Sequence, residues 1–426
     1  MMEISTLGAL LGLAIAIVLI SVKIHPVYAI ILGALLGGLL GGGNLDYVIQ
    51  VMFSGAQSMA ASGLRILTSG VLVGALVITK ATDKISVAII TAFGEKRALI
   101  AISLASMLIC AIGVFIPVAV ITVAPIAIDI KRRINIPDRA ILIALIGGGK
   151  AGNIISLNPN TIAVADNLGI DVAQLIVKNG IPAVTALIVT VIIANIYAKK
   201  EIRGMSKIND VLIEGHEEEK NSETRMPGFL QAITGPVIVV VLLMLKLVTN
   251  INIDTFVVLP AAGLATLIVT GNIKKLGASL KYGISKVSDT FLLLIATGTI
   301  AGIINASSLT SDISNLLSRA DIPVYLLAPL SGMLLAAATA STTAGATIAS
   351  QSFADIFAAT GVSSLSAGAM INASATIIDS MPHGSFFHAS ADAVGMNIKD
   401  RLKLLPVESL IGLSATITGI VMYNIC

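Results

Sequence analysis

The chain has no tryptophan and only two cysteines among its 426 residues. Charged side chains make up 12% of it and aromatic ones 4%. Each shortage excludes something. A soluble domain carries about 25% charged residues. This chain has too little polar cover for a water-exposed surface, so lipid must solvate much of it. Cys110 sits inside an apolar run and Cys426 is the last residue, which suggests neither a disulfide framework nor a zinc site. A net charge of +3 gives no argument for a nucleic-acid partner. Without tryptophan, the six tyrosines are left as the main interfacial anchors. The first apolar run, Ile4–Ser21, follows Glu3 rather than a basic segment and shows no small-residue cleavage site. It reads as a retained membrane helix and not as a signal peptide.

What is present is apolar surface and glycine. Hydrophobic residues reach 56% and glycines number 38, with a mean hydropathy of +0.96. Small residues let helices approach closely in lipid. Runs of spanning or near-spanning length cover Ile4–Ser21, Val27–Gly42, Ile66–Thr79, Ala98–Ile130 and Ile181–Ala198. They resume at Phe229–Val248, Phe256–Gly271, Thr290–Ile304, Val324–Thr339 and Val407–Tyr423. Ala98–Ile130 is too long for one helix and carries Pro117 and Pro125, so a break is expected near Phe115-Ile116-Pro117. Residues 139–178 and 365–403 mix short apolar stretches with Gly, Asn, Pro and Ser. That is the pattern of re-entrant or discontinuous helices, which are tolerated at membrane depth only under protein or water.

The chain also repeats itself. Ala165-Asp166-x-x-Gly169 recurs 226 residues later as Ala391-Asp392-x-x-Gly395. The same offset carries Leu104 to Leu330, Met107-Leu108 to Met333-Leu334 and Asp129-Ile130 to Asp355-Ile356. The expected break near Ile116 maps onto Ser341-Thr342-Thr343. Basic residues then test orientation. Gly43–Leu64 has none, whereas its counterpart Val269–Thr290 has Lys274, Lys275, Lys281 and Lys286. Thr79–Arg97 has Lys80, Lys84, Lys96 and Arg97, whereas Asn305–Pro323 has only Arg319. Lys131-Arg132-Arg133 maps onto a stretch without basic residues, and lone Lys178 onto Lys399, Arg401 and Lys403. Basic loops prefer the cytoplasm, and here they swap sides between copies. The expectation is an all-α integral membrane protein of two inverted repeats, residues 1–198 and 230–426, joined by a cytoplasmic linker at 199–229. Both termini then lie outside. The linker's Glu217-Glu218-Glu219 reads as a solvated loop.

Duplicated halves with matching broken segments point to a secondary transporter's binding site. The first segment is Gly147-Gly148-Gly149-Lys150-Ala151-Gly152-Asn153-Ile154-Ile155-Ser156-Leu157-Asn158-Pro159-Asn160-Thr161. Glycines free the backbone, and Asn158 and Thr161 suit the cap of a helix starting near Pro159. A helix N-terminus suits an anion, and Lys150 adds a full positive charge. The plainer reading is a tight loop with Lys150 reaching for the interface. The spacing excludes a Walker phosphate loop. The second segment is Asp379-Ser380-Met381-Pro382-His383-Gly384-Ser385-Phe386-Phe387-His388. Buried ionisable groups cost about 2.5–3.5 kcal/mol at the bilayer centre on insertion scales, so Asp379, His383, His388 and Asp392 need partners or water. His383 or His388 could carry a coupled proton. Equally, either could hydrogen-bond backbone freed by Pro382. No metal site is expected, because the spacing is not a helical i, i+4 pair and Gly384 interrupts it. Ser341-Thr342-Thr343 admits a ligand-binding and a packing reading. Asn372-Ala373-Ser374-Ala375-Thr376 reads as a polar helix face.

At these residues the chain resembles the gluconate permease (GntP-type) family. The stretch Gly147–Thr161 is similar to the family's signature, and Met381–His388 to its C-terminal counterpart. The resemblance covers essentially the whole chain. It implies a bacterial inner-membrane symporter taking up gluconate-like sugar acids, glycerate or D-serine with protons, and no cofactor. It also implies the ion-transporter superfamily fold, with two re-entrant hairpins, a tendency to form homodimers and a transport domain that moves past a scaffold. Leu157 stands where the family is expected to have proline, which leaves the substrate open. The resulting expectation is that Gly149, Lys150, Asn153, Ser156, Asn158, Asn160, Thr161, Ser341, Thr342, Thr343, Pro382, His383, Gly384 and Ser385 hold a small organic acid. Asp379, His383, His388 or Asp166 would carry the proton. Lys150 either neutralises the substrate or pairs with Asp379. Sodium coupling is the rival within transport. An intramembrane enzyme using the Asp/His cluster and a channel are the rivals outside it.

Overall fold

The computed structural model describes residues 4–22, 24–94, 97–134, 136–205, 226–249, 253–309, 312, 323–382 and 384–425. His383, most of the linker and Cys426 lie outside these. Among the described residues the regular elements are helices, with one isolated bridge between Ile4 and Ser307. The first half contains α1 (Thr6–Ser21), α2 (Pro26–Leu40), α3 (Leu45–Ser58), α4 (Ala60–Ile78), α5 (Ala81–Phe93), α6 (Ala98–Ala111), α7 (Ile116–Ile134), α8 (Asp138–Asn153), α9 (Pro159–Asn167), α10 (Val172–Lys178) and α11 (Gly180–Met205). The second contains α12 (Phe229–Thr249), α13 (Thr255–Val269), α14 (Leu276–Asn305), α15 (Leu327–Thr339), α16 (Thr342–Ala359), α17 (Ser364–Ser374), α18 (Ser385–Asp392), α19 (Ile398–Leu402) and α20 (Leu405–Ile425).

Local chemistry sets these boundaries. Asn158 caps α9 with Pro159 at its first position, Asp171 caps α10, Ser341 caps α16, Ser363 caps α17 and Asn397 caps α19. The starts of α7, α8, α9 and α10 recur at the 226-residue offset, to the residue, as those of α16, α17, α18 and α19. The expected break inside Ala98–Ile130 is the gap between α6 and α7, and its counterpart is the gap between α15 and α16. Four helical stretches are long and apolar enough to cross a membrane by length and composition: Ala60–Ile78, Gly180–Lys200, Ile273–Asn305 and Ile398–Ile425.

Several expected loops are helical instead. Thr79–Arg97 is largely α5, and α14 begins at Leu276, so Lys281, Lys286 and Asp289 lie on a helix. Likewise α4 begins at Ala60 and carries Arg65 inside it. A hydropathy run stops at the first charge, but a helix tolerates one wherever its partner is near.

The helices form two bundles. One joins α1–α4 to α12–α14, and the other joins α6–α11 to α15–α20, with α5 packed on both α6 and α12. In the second bundle α8 lies so close to α6 that a Cβ on Gly148 would fall on the Ser103 carbonyl oxygen. Gly152 meets the Met107 carbonyl in the same way. Only glycine permits that approach, and it fixes the position of the first broken segment.

Candidate substrate-binding site

Each broken segment is a helix, a short turn and a second helix: α8 with α9, and α17 with α18. The first turn is closed by its own side chains. Asn158 Oδ1 accepts from the Thr161 amide (3.1 Å) and hydroxyl (3.2 Å), while Asn158 Nδ2 donates to Asn153 Oδ1. Ser156 donates to the Cys110 carbonyl. Asn160 Nδ2 donates to Asn372 Oδ1 at 2.8 Å, and Asn372 Nδ2 donates to the Ile154 carbonyl and Thr161 Oγ1, each at 3.2 Å. Asn372 therefore ties the two segments together. Ser156, Asn158, Asn160 and Thr161 are all buried.

Between the segments lies an ion pair. Lys150 Nζ is 2.7 Å from Asp379 Oδ1, with side chains 1% and 2% exposed. The ammonium also donates to the Thr376 carbonyl at 2.5 Å, a residue 226 positions away. Asp379 accepts further from Thr342 Oγ1 (2.6 Å) and Ser380 Oγ (3.0 Å). Lone pairs and charge are thus satisfied without solvent, as burial of an ion pair requires. Of the two expectations for Lys150, the structure has the pairing with Asp379.

A cavity of ≈ 740 Å³ opens beside Asp379. The starts of α7 (Ile116, Pro117, Val118) and α16 (Thr342, Thr343, Ala344) line it, together with Asn153, Ser341, Pro382, Gly384 and His388. Two helix N-termini, each carrying unpaired N–H groups, therefore border one space. Ala340, just before α16, is held at φ 47°, a left-handed conformation that costs a non-glycine residue roughly 1–2 kcal/mol. It turns Ser341–Thr343 toward the cavity. Asn153 is 4% exposed, lines the cavity, and its Nδ2 has no hydrogen-bond partner. A buried amide N–H left unmade costs about 1–3 kcal/mol, so a ligand acceptor there would relieve it.

Not every expected residue reaches this space. Gly149, Lys150, Ser156, Asn158, Asn160 and Thr161 do not line it. Lys150 holds Asp379 and Asn158 holds Asn153, while Ser156, Asn160 and Thr161 bond elsewhere within the protein. His383 lies outside the described residues, as does the side chain of Ser385. His388 is exposed, with Nε2 2.9 Å from the Pro382 carbonyl oxygen, the backbone role foreseen as one alternative. Asp166 is away from Asp379. It pairs with Arg65 at 2.8 Å, and Arg65 also binds Asp254.

Sequence reasoning missed His25, Lys286 and Asp289, which line the cavity from α2 and α14. It also missed a second buried pair, Arg401 with Glu408. Arg401 further donates to Ser390 Oγ at 3.0 Å and lies 4.9 Å over the Phe387 ring. A charge inside an otherwise apolar helix was the available signal.

A sequence model of the GntP family permeases matches residues 4–426. An uncharacterized transporter of Haemophilus influenzae (strain ATCC 51907 / DSM 11121 / KW20 / Rd) is 42% identical over 425 residues, covering 100% of this chain and 99% of that one. Among solved structures, the Alcanivorax borkumensis YdaH transporter, described as having an unusual topology, superposes with a TM-score of 0.58. It covers 90% of this chain and 88% of its own at 13% identity, a likeness of fold alone. The ion pair and cavity thus sit in a membrane transporter rather than an enzyme, and the chain belongs to the GntP permease family.

Proposed function

We propose that this permease imports a small hydroxycarboxylate, such as a gluconate-like sugar acid, glycerate or D-serine, by proton symport. The carrying observation is the cavity itself. Two helix N-termini, the hydroxyls of Ser341 and Thr343 and the unpartnered Asn153 amide supply donors for a carboxylate and its neighbouring hydroxyls. Asp379 would repel such an anion if it stood alone. Lys150 cancels its charge, and a proton on Asp379 would leave a net positive pair behind the site. Proton and anion then favour each other's binding, which is the linkage a symporter needs. The segments 1–198 and 230–426 act as inverted repeats, with α8–α9 and α17–α18 as re-entrant hairpins. The recurring helix starts and the Lys150–Thr376 contact support that reading. Alternating access follows from the α6–α11/α15–α20 bundle moving past the other. The protein sits in the bacterial inner membrane with both termini outside and the linker inside, as a homodimer.

Sodium coupling is disfavoured at one point. The Thr376 carbonyl and Asp379 carboxylate form a cation-binding pair of oxygens, but the Lys150 ammonium occupies it. The test is uptake into proteoliposomes of C3 to C6 hydroxy acids under an imposed pH or sodium gradient. The expected result is saturable uptake driven by the pH gradient and abolished by uncoupler. Uptake driven by sodium alone, indifferent to uncoupler, would overturn proton coupling. Failure of every hydroxy acid to bind would overturn the substrate class.

A further inference from the structure

The two bundles meet at two places that are equivalent under the 226-residue offset, and different side chains occupy them. At one, Val27, Thr290, Leu293 and Phe386 border the open cavity. Their counterparts are Ile253, Leu64, Leu67 and Asn160. There Ile253 and Leu67 are partly buried against the core and Asn160 is buried, while Leu64 is exposed.

Arg65 stands at the second place and bridges the two bundles. On α4, it donates Nε to Asp254 Oδ1 (3.0 Å) and Nη2 to Asp254 Oδ2 (2.8 Å), within its own bundle. Its Nη1 donates across the boundary to Asp166 Oδ1 on α9 at 2.8 Å. The Asp254 carboxyl is held down to about 2 by its Arg65 hydrogen bonds. Asp166 Oδ2 is buried without a partner, so Arg65 is the anchor that holds this carboxylate at the interface. A planar guanidinium can bind two carboxylates at once.

We infer that Arg65 is an interdomain latch, closing the face opposite the cavity by tying Asp166 of the hairpin bundle to Asp254 of the other bundle. The inference rests on the carrier reading above. The latch is one-sided. The offset places Phe291 opposite Arg65, Tyr28 opposite Asp254, and an exposed Asp392 opposite Asp166. Among the described residues no arginine lines the cavity, so the latch favours the state open at the cavity.

Leu67 and Leu293 are matched reporters. In a background with Cys110→Ala and Cys426→Ala, Leu67→Cys and Leu293→Cys are labelled in vesicles by a membrane-impermeant thiol reagent. With Arg65 intact, position 293 should label and position 67 should not. Arg65→Gln and Asp254→Asn should each raise labelling at 67 roughly tenfold, the scale of one charge-assisted hydrogen bond, and lower it at 293. Arg65→Lys should fall between, since an ammonium lacks the fork. Unchanged labelling in both neutral variants, each monodisperse in detergent, would overturn the latch. Adding saturating hydroxy acid to the Arg65 protein separates the two claims. Ligand-dependent labelling without an effect of Arg65→Gln sinks the latch alone. An effect of Arg65→Gln with no response to any hydroxy acid sinks the substrate reading alone.

Discussion

The two hairpins start at equivalent residues and end in different chemistry. The first folds its polar side chains inward: Asn158, Asn160 and Thr161 bond to one another, to Asn153 and to Asn372. The second turns Asp379, Pro382 and Gly384 to the cavity. The first hairpin is mostly frame, with only Asn153 of it lining the cavity, and the second is mostly working surface. Helix starts recur at one offset, and the side chains at equivalent positions do different work. The clearest instance is Asn153, whose counterpart at the offset is Asp379. A neutral amide and a carboxylate face the same cavity from opposite copies.

The largest expected effect comes from breaking the pair that joins the copies. Lys150→Met leaves Asp379 charged and buried, a loss of about 3–5 kcal/mol when one partner is removed. Thermal stability and gradient-driven uptake should both fall sharply. The double variant Lys150→Met/Asp379→Leu should recover stability without recovering uptake, because apolar replacements can substitute for a pair's packing but not for its proton. Recovery of uptake in the double variant would show that the pair is only structural.

Arg401–Glu408 is the pair to set beside it, since it is equally buried and neither residue lines the cavity, although Glu408 lies within the field of Lys150 and Asp379. Arg401→Met should destabilise by a similar ~3–5 kcal/mol. Here, however, Arg401→Met/Glu408→Leu should restore stability and most of the uptake together. If it restores only stability, this second pair also takes part in coupling.

Next in size is the ligand contact. Asn153→Ala removes the unpartnered amide and should weaken hydroxy-acid binding by roughly tenfold or more, as expected for a hydrogen bond to a charged group at about 1.5–3 kcal/mol. Isothermal titration measures it apart from transport. Thr161→Val, in the internal network of the same hairpin, should cost stability of about 1 kcal/mol and leave affinity nearly unchanged. Equal losses of affinity in both would show that the turn's internal bonds serve the ligand as much as the free amide does.

Much of this was legible before any coordinates. The break before α7 follows from Pro117, the start of α9 from Asn158-Pro159, and the whole second half from one offset. Lys150 and Asp379 stood out because charges are rare in polar, glycine-rich breaks at membrane depth. Arg65, Lys286 and Asp289 did not, for a physical reason. Hydropathy treats a charge as the end of an apolar run, so Lys286 and Asp289 fell into a supposed loop and Arg65 just outside a run. Their helices continue because Asp254 and Asp166 neutralise Arg65, and the cavity solvates Lys286 and Asp289. Burial also depends on pairings hundreds of residues apart. Spacing could not tell that Asn160 meets Asn372 rather than a ligand.

The smallest effect is expected at His388, and it sharpens the comparison from the working side. The residue lines the cavity, yet its Nε2 is committed to the Pro382 carbonyl at the break. Its task there is to hold freed backbone, as the asparagines do in the first hairpin. His388→Gln keeps a donor within reach and should change uptake by less than about tenfold, the scale of a single exposed hydrogen bond. The pH profile of uptake should keep its shape. Loss of that pH dependence, with affinity intact, would move the coupling proton from Asp379 to His388, and the second hairpin would then carry the proton on its outer wall instead of in the buried pair.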